Sequence, residues 1–279
     1  MHFNGGYELK ISVLVTTLCR PEIRLLLRSL ETQKRKPDEI IIVYKCDNID
    51  ISSLTDNFEL PIYLYKQSRI GITGAINQGL EKIEGDISVF LDDDAIAPAS
   101  LLRIYEELIN SLSNKFAGVC SRDILYSNSN GFVKGPDDSL VVKIYRNIIV
   151  NLLAKPYPGL ELFKQGVFID NSLKVKHGPC IPNGSCISLP FRGVNMAFRR
   201  IALEGLKLPE DINLGAAKGY EQLLGVMLVS RGYLYAYVSN NPVFHLLHPS
   251  ISRSKNINEN KTMEKYLKEA LNSFKTRNY

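Results

Sequence analysis

Apolar positions in the first hundred residues alternate between two periods. Ile11-Ser-Val-Leu-Val15, Ile40-Ile-Ile-Val43 and Ile87-Ser-Val-Phe-Leu91 are short, nearly continuous apolar runs of the kind that buried strands need. Pro61-Ile-Tyr-Leu-Tyr65 is a further run, shorter and more alternating. Between these runs the period becomes helical. Ile23, Leu26, Leu27 and Leu30 recur within 21–33, and Ile72, Ala75, Ile76, Gly79, Leu80 and Ile83 within 72–83. Leu101, Leu102, Tyr105, Leu108 and Ile109 do so within 98–112, with Pro98 in the first turn. This alternation predicts an α/β fold with a mixed, mostly parallel central sheet and helices on both faces. Ligands of such sheets bind at the carboxyl ends of the strands.

Residues 120–190 are rich in Gly and Pro and carry only a weak strand pattern. One segment within them differs. On a helix over 140–153, Lys143, Arg146, Asn147 and Asn151 fall on one narrow stripe and all other positions are apolar. The segment is too short to span a bilayer. Two readings stay open: it is buried against the sheet, or it lies at a membrane surface or a partner. Order returns with a strand at Phe191–Phe198, a helix over 218–231 ended by Gly232, and a strand at Tyr233–Val238. A last helix over about 258–274 lines up Met263, Tyr266, Leu267, Ala270, Leu271 and Phe274 on one face.

Composition narrows the class. The chain has 279 residues, 45% hydrophobic and 23% charged, which fits a folded globular protein and excludes disorder. No apolar run is long enough to suggest a spanning helix, and the start MHFNGGYELK lacks a signal-peptide pattern, so a cytoplasmic location is expected. The net charge is +5, but residues 250–279 hold seven Lys/Arg against three Asp/Glu, leaving the body close to neutral. That argues against nucleic acid as a partner, which wants a basic stripe on the folded body. The five cysteines form no CxxC and are expected to be unpaired core or loop residues in a reducing compartment.

The strongest chemical signal is Phe90-Leu-Asp92-Asp-Asp94-Ala95, three carboxylates directly after a buried strand. Packed carboxylates repel unless a cation lies among them, and oxygen ligands suit Mn²⁺ or Mg²⁺. An aspartyl-nucleophile phosphatase would place its Asp pair after the first strand, which here ends in Thr-Thr. A nucleotidyltransferase would want a Gly-rich loop there, and Leu18-Cys-Arg-Pro21 has no Gly.

Four segments in order resemble family-2 inverting glycosyltransferases of the GT-A fold: ISVLVTTLCRPEIRLLLRSLETQKRKPDEIIIV, RIGITGAINQGLEKIEGDISVFLDDDAIAP, FRGVNMAFRR and GYEQLLGVMLVSRGY. The resemblance implies a Rossmann-like nucleotide-sugar-binding half over 10–118 and an acceptor-side half over 119–248. These form a single domain, 1–248, followed by a basic amphipathic C-terminal helix, 249–279. It implies a metal-dependent transfer of a sugar, with inversion, from a nucleotide-sugar donor to a hydroxyl of a glycan or lipid-linked acceptor. The alternative is a sugar-nucleotide-binding protein of the same fold that has lost catalysis.

Residue by residue, Asp92 and Asp94 match the outer positions of the family's Asp-x-Asp motif and would hold the metal, with Asp92 and Asp93 also facing the donor. Thr16, Thr17 and Arg20 match the nucleotide loop after the first strand. Arg69, Gly71, Gly74 and Asn77 match the stretch that packs under the nucleotide. Arg192, Gly193 and Asn195 fall on the acceptor side. His245 is the third metal ligand, with His248 its competitor. The family's Glu-Asp pair, whose Asp is the general base, is here Tyr220-Glu221, which makes Glu221 the base and Asp211 the next candidate. The family's base-binding Asp after the second strand is replaced by Tyr44, with Asp47 a few residues on. The basic tail and the two amphipathic helices add an expectation of peripheral contact with the inner face of the membrane.

Overall fold

A computed structural model describes residues 9–47, 49–127, 129–247 and 257–277. The chain opens with β1 (Ile11–Thr17), α1 (Ile23–Glu31), β2 (Glu39–Tyr44), a short α2 (Ser52–Thr55), β3 (Ile62–Lys66), α3 (Gly71–Leu80), β4 (Ile87–Asp92), β5 (Ala95–Ile96) and α4 (Leu101–Ser111). Then come β6 (Phe116–Ser127) and β7 (Gly131–Val133). Next, α5 (Leu140–Tyr145) runs through a π-helical turn, Arg146–Val150, into α6 (Asn151–Leu153). β8 (Val167–Ile169), β9 (Val175–His177), β10 (Ser185–Ile187), β11 (Asn195–Arg199), α7 (Arg200–Leu203), α8 (Tyr220–Ser230), β12 (Leu234–Leu246) and α9 (Ile257–Arg277) complete it.

The main sheet has the order β10-β12-β6-β11-β4-β1-β2-β3. β4, β1, β2 and β3 are parallel, as the alternating pattern requires. β11 inserts antiparallel between β4 and β6. β1 lies inside the sheet with both faces covered, which is why its apolar run is unbroken. β3 is the edge and leaves the consecutive residues Tyr63 and Leu64 both exposed, unlike the one-sided burial its alternation suggests. Two hydrophobic clusters form the core. One holds α1 and α4 against β1 and β4 through Leu26, Leu27, Leu102 and Tyr105. The other gathers α3, α8 and α9 around Phe90, Met196 and Phe198.

Several sequence expectations change here. The strand expected from Phe191 begins at Asn195, and the one expected to end at Val238 continues to Leu246 after an irregularity between Val238 and Val243. Beyond it β12 pairs with β5, His245 opposite Ala95. The cysteines are not all unpaired: Cys19 pairs with Cys46 and Cys180 with Cys186, while Cys120 is free and buried. Cys19 and Cys46 are 27 residues apart but lie on the loops after the adjacent strands β1 and β2, a proximity that spacing does not reveal.

The 140–153 helix is not buried against the sheet by its apolar side. Arg146 and Val150 are its buried residues, and its apolar side is exposed. The C-terminal helix does the reverse: Met263, Leu267 and Leu271 pack into the core beside α8. Since Leu271 is fully buried, Leu271→Ala should lower unfolding stability by about 2–5 kcal/mol. A urea titration reads this, and a loss well below 1 kcal/mol would mean that α9 does not hold to the body.

Candidate active site

β4 carries its apolar run to the sheet's carboxyl edge and releases Asp92, Asp93 and Asp94 there, Asp92 in register with Thr16 of β1. The three carboxylates diverge. Asp93 is buried and turns towards β1, accepting hydrogen bonds from Thr17 Oγ1 at 2.6 Å and from Arg20. Burial raises its pKa, against the pull of Arg20 and Thr17. These bonds tie the turn after β1, and Arg20 within it, to the acidic turn. Asp92 and Asp94 face His245, with Asp94 Oδ2 also 3.4 Å from Arg20 Nη2, and one ligand atom from each of Asp92, Asp94 and His245 lies within 4.8 Å of the others.

β12 supplies that histidine. The main-chain N–H of Leu246 donates to Asp94 O at 3.0 Å, tying the strand's extension to the acidic turn. His245 Nδ1 lies 2.9 Å from Asp123 Oδ2, and Nε2 lies 3.4 Å from Asp94 Oδ1. Both carboxylate oxygens of Asp123, on β6, also accept from Arg192 Nη1 at 2.7 Å. Burial raises Asp92 to about 7, reinforced by repulsion from Asp94. For His245, burial works against the charge, but the bonds to Asp123 and Asp94 and the surrounding carboxylates raise it to about 10. Two carboxylates and an imidazole, the imidazole oriented by a carboxylate behind it, are a donor set that suits a divalent ion such as Mn²⁺.

These groups line one cleft of about 610 Å³, a size ordinary for a small-ligand site. It also brings together Thr16, Thr17, Arg20, Gly71, Arg192, Gly193 and Glu221. Gly71 needs its lack of a side chain twice over: its φ is +69°, and a Cβ there would lie 2.4 Å from Leu214 O. Gly193 likewise makes room, for the Tyr220 hydroxyl, which a Cβ would approach to 2.3 Å. The tyrosine that stands in place of the family's Glu thus fills space against the FRGVN turn. Glu221 opens α8 and is half-buried, and its pKa is raised by burial.

Five expected site residues are held elsewhere. Asp47 is exposed and outside the cleft. Arg69 pairs with Glu81 at 2.8 Å and Glu210 at 3.4 Å. Gly74 packs against Arg69 within α3. Asn77 is buried and clamps Leu208, donating to its carbonyl at 2.8 Å and accepting from its N–H at 2.9 Å. Asn195 is fully buried, accepting from the Tyr105 hydroxyl and donating to the Arg122 and Asn241 carbonyls. Asp211, the alternative base, lies outside the cleft and accepts from Tyr266. His248 lies outside the described residues. Conversely, Lys45 and Lys218 line the cleft and were missed. Lys45 was legible in principle, since it directly follows β2 at the carboxyl edge.

Residues 12–160 match the profile of glycosyl transferase family 2. The chain belongs to this family. No curated protein matches it significantly. Among solved structures it is similar to S. aureus TarS 1-349 in complex with UDP, at TM-score 0.59 and 15% identity, covering 94% of this chain and 65% of that one. It is similar to GalNAc-T7 with UDP, GalNAc and Mn²⁺, at 0.60 and 16%, covering 86% and 44%. A third is the mannosyltransferase PcManGT from Pyrobaculum calidifontis in complex with GDP-Man and Mn²⁺, at 0.56 and 17%, covering 97% and 74%. The chain thus spans less than two thirds of the first two. These likenesses establish the GT-A fold and agree with the family.

Proposed function

We propose that this family member moves a sugar, with inversion, from a nucleotide-sugar donor to a hydroxyl of a glycan or lipid-linked acceptor, working peripherally at the inner face of the membrane. The observation that carries the catalytic reading is the placing of Glu221 in the same cleft as Asp92, Asp94 and His245. A bound divalent ion supplies charge neutralisation for the leaving nucleoside diphosphate. Arg20, fixed by Asp93, together with Lys45 and Lys218, gives the cleft positive charge for the diphosphate. Glu221 takes the proton of the acceptor hydroxyl as that oxygen attacks, and its raised pKa makes it a better base than an exposed carboxylate. Mn²⁺ bound beside UDP or GDP-mannose in the structural neighbours supports the choice of ion and donor class.

A thermal-shift screen of nucleoside diphosphates and nucleotide sugars, with and without Mn²⁺, tests this. At about a hundredfold excess over Kd the right ligand should raise the Tm by roughly 5 °C with Mn²⁺ and far less without it. If no nucleotide stabilises the protein in the presence of Mn²⁺, the reading fails.

Titration gives a second expectation. In the metal-free protein the surrounding carboxylates favour a proton on His245, and burial and repulsion from Asp94 favour one on Asp92. Ligands must lose these protons to bind an ion, so Mn²⁺ affinity should climb between pH 6 and 9 with release of roughly one to two protons per ion. Calorimetry in buffers of different ionisation enthalpy measures that release; an affinity flat across this range would remove these residues from the ligand set.

A further inference from the structure

The 140–153 helix is attached to the protein by the wrong face for a soluble helix. From its polar stripe Arg146 points inward: the guanidinium is buried, donates to Ile181 O at 3.1 Å and pairs with Asp137. Its apolar side points outward. Leu140, Val141, Ile144, Ile148, Leu152 and Leu153 are each between 51% and 74% exposed. An unpartnered row of this size on a folded protein marks a binding surface.

The charges around it select the occupant. Between residues 134 and 164 the chain carries Lys134, Lys143, Arg146, Lys155 and Lys164 against Asp137, Asp138 and Glu161. The two aspartates are taken up by Arg146, Arg192 and Arg122, so the lysines outnumber the acids that remain. A symmetric contact between two copies would bring these lysines face to face, whereas an anionic surface attracts them. An exposed apolar row flanked in the chain by exposed lysines, Lys134 before it and Lys155 after it, is the pattern of a helix lying in a bilayer interface. The C-terminal helix, by contrast, has its apolar stripe packed in the core and presents polar residues outward, Lys261, Lys265, Lys268 and Glu269 among them.

The helix also touches the cleft wall. Asp137 binds Arg146 of the helix through one oxygen and Arg192 of the cleft through the other. We infer that the 140–153 helix is a membrane-docking element that lies on an anionic bilayer and sets the cleft at its surface. This inference rests on the peripheral membrane placement proposed above and names the element that makes it; the vesicle test below does not depend on the catalytic part of that reading.

The test uses the full chain with vesicles of neutral phosphatidylcholine, or of phosphatidylcholine with about a third phosphatidylglycerol. Co-sedimentation is expected with the anionic vesicles at low salt, weaker at high salt and slight with neutral ones. The double substitution Leu152→Glu, Leu153→Glu, at exposed positions that the fold does not need, should weaken binding by about tenfold or more. Lys265→Glu with Lys268→Glu, on the C-terminal helix, should change it by no more than about twofold. Vesicle binding needs no transfer, so it stands or falls separately from the nucleotide screen. The inference is overturned if the native chain ignores anionic vesicles at low salt, if the leucine variant binds them as well as the native chain, or if light scattering shows a dimer that the leucine variant breaks while vesicles are not bound.

Discussion

Asp94→Ala should abolish Mn²⁺-dependent nucleotide binding and reduce transfer by a factor on the order of 10³ or more, the scale of several kcal/mol of charge stabilisation. The carboxylate is one of three groups converging within 4.8 Å, and it contacts His245 directly. The fold should survive, because Asp94 lies past the end of β4 and Asp123 still holds the other side of His245. The variant loses the Asp94 contacts with His245 and Arg20 but also relieves the repulsion of Asp92, two opposed effects, so the Tm without Mn²⁺ should change little. A nucleotide titration with and without Mn²⁺ decides the matter. Undiminished metal-dependent binding in this variant would sink the assignment of the ion site.

Glu221→Gln separates binding from chemistry. The amide keeps the size of the side chain and its place at the start of α8 but cannot accept the acceptor's proton. Donor binding should therefore persist while turnover falls by a factor on the order of 10² or more. The same variant tests whether Tyr220-Glu221 is a working replacement for the family's Glu-Asp pair. Near-native turnover would place the base elsewhere; Asp211 lies outside the cleft and is bonded to Tyr266. A native protein that binds a donor but neither transfers nor hydrolyses it would instead identify a binding protein on a glycosyltransferase frame.

The site was unevenly legible in the sequence. Asp92, Asp94, Glu221 and His245, each at a recognisable place in a motif or at a strand end, do meet in one cleft. Asp47, Arg69, Asn77 and Asn195 illustrate the limit. A polar residue next to a nucleotide loop can equally satisfy a buried carbonyl or a neighbouring charge, and Asn77 on Leu208 and Asn195 on Asn241 do so over separations that no local pattern encodes. Asp123 went unnoticed for the converse reason. It sits in an irregular region and gains meaning only where Arg192 and His245 meet it.

The sequence by itself determined the elements and their class. Continuous apolar runs at β1, β2 and β4 and the stripes of α1, α3 and α4 follow from short-range periodicity, and the acidic turn at the end of β4 follows from the run it terminates. Only the tertiary structure decided which residues share a surface. The insertion of β11 between β4 and β6, the extension of β12 past its irregularity, and the pairing of Cys19 with Cys46 join segments far apart in the chain. It also decided which way the two amphipathic helices face. Periodicity shows that a helix has an apolar side, but the partners available to it determine the outcome: α9 found the core beside α8, and the 140–153 helix, drawn in by Arg146 onto Asp137, turned its apolar side outward.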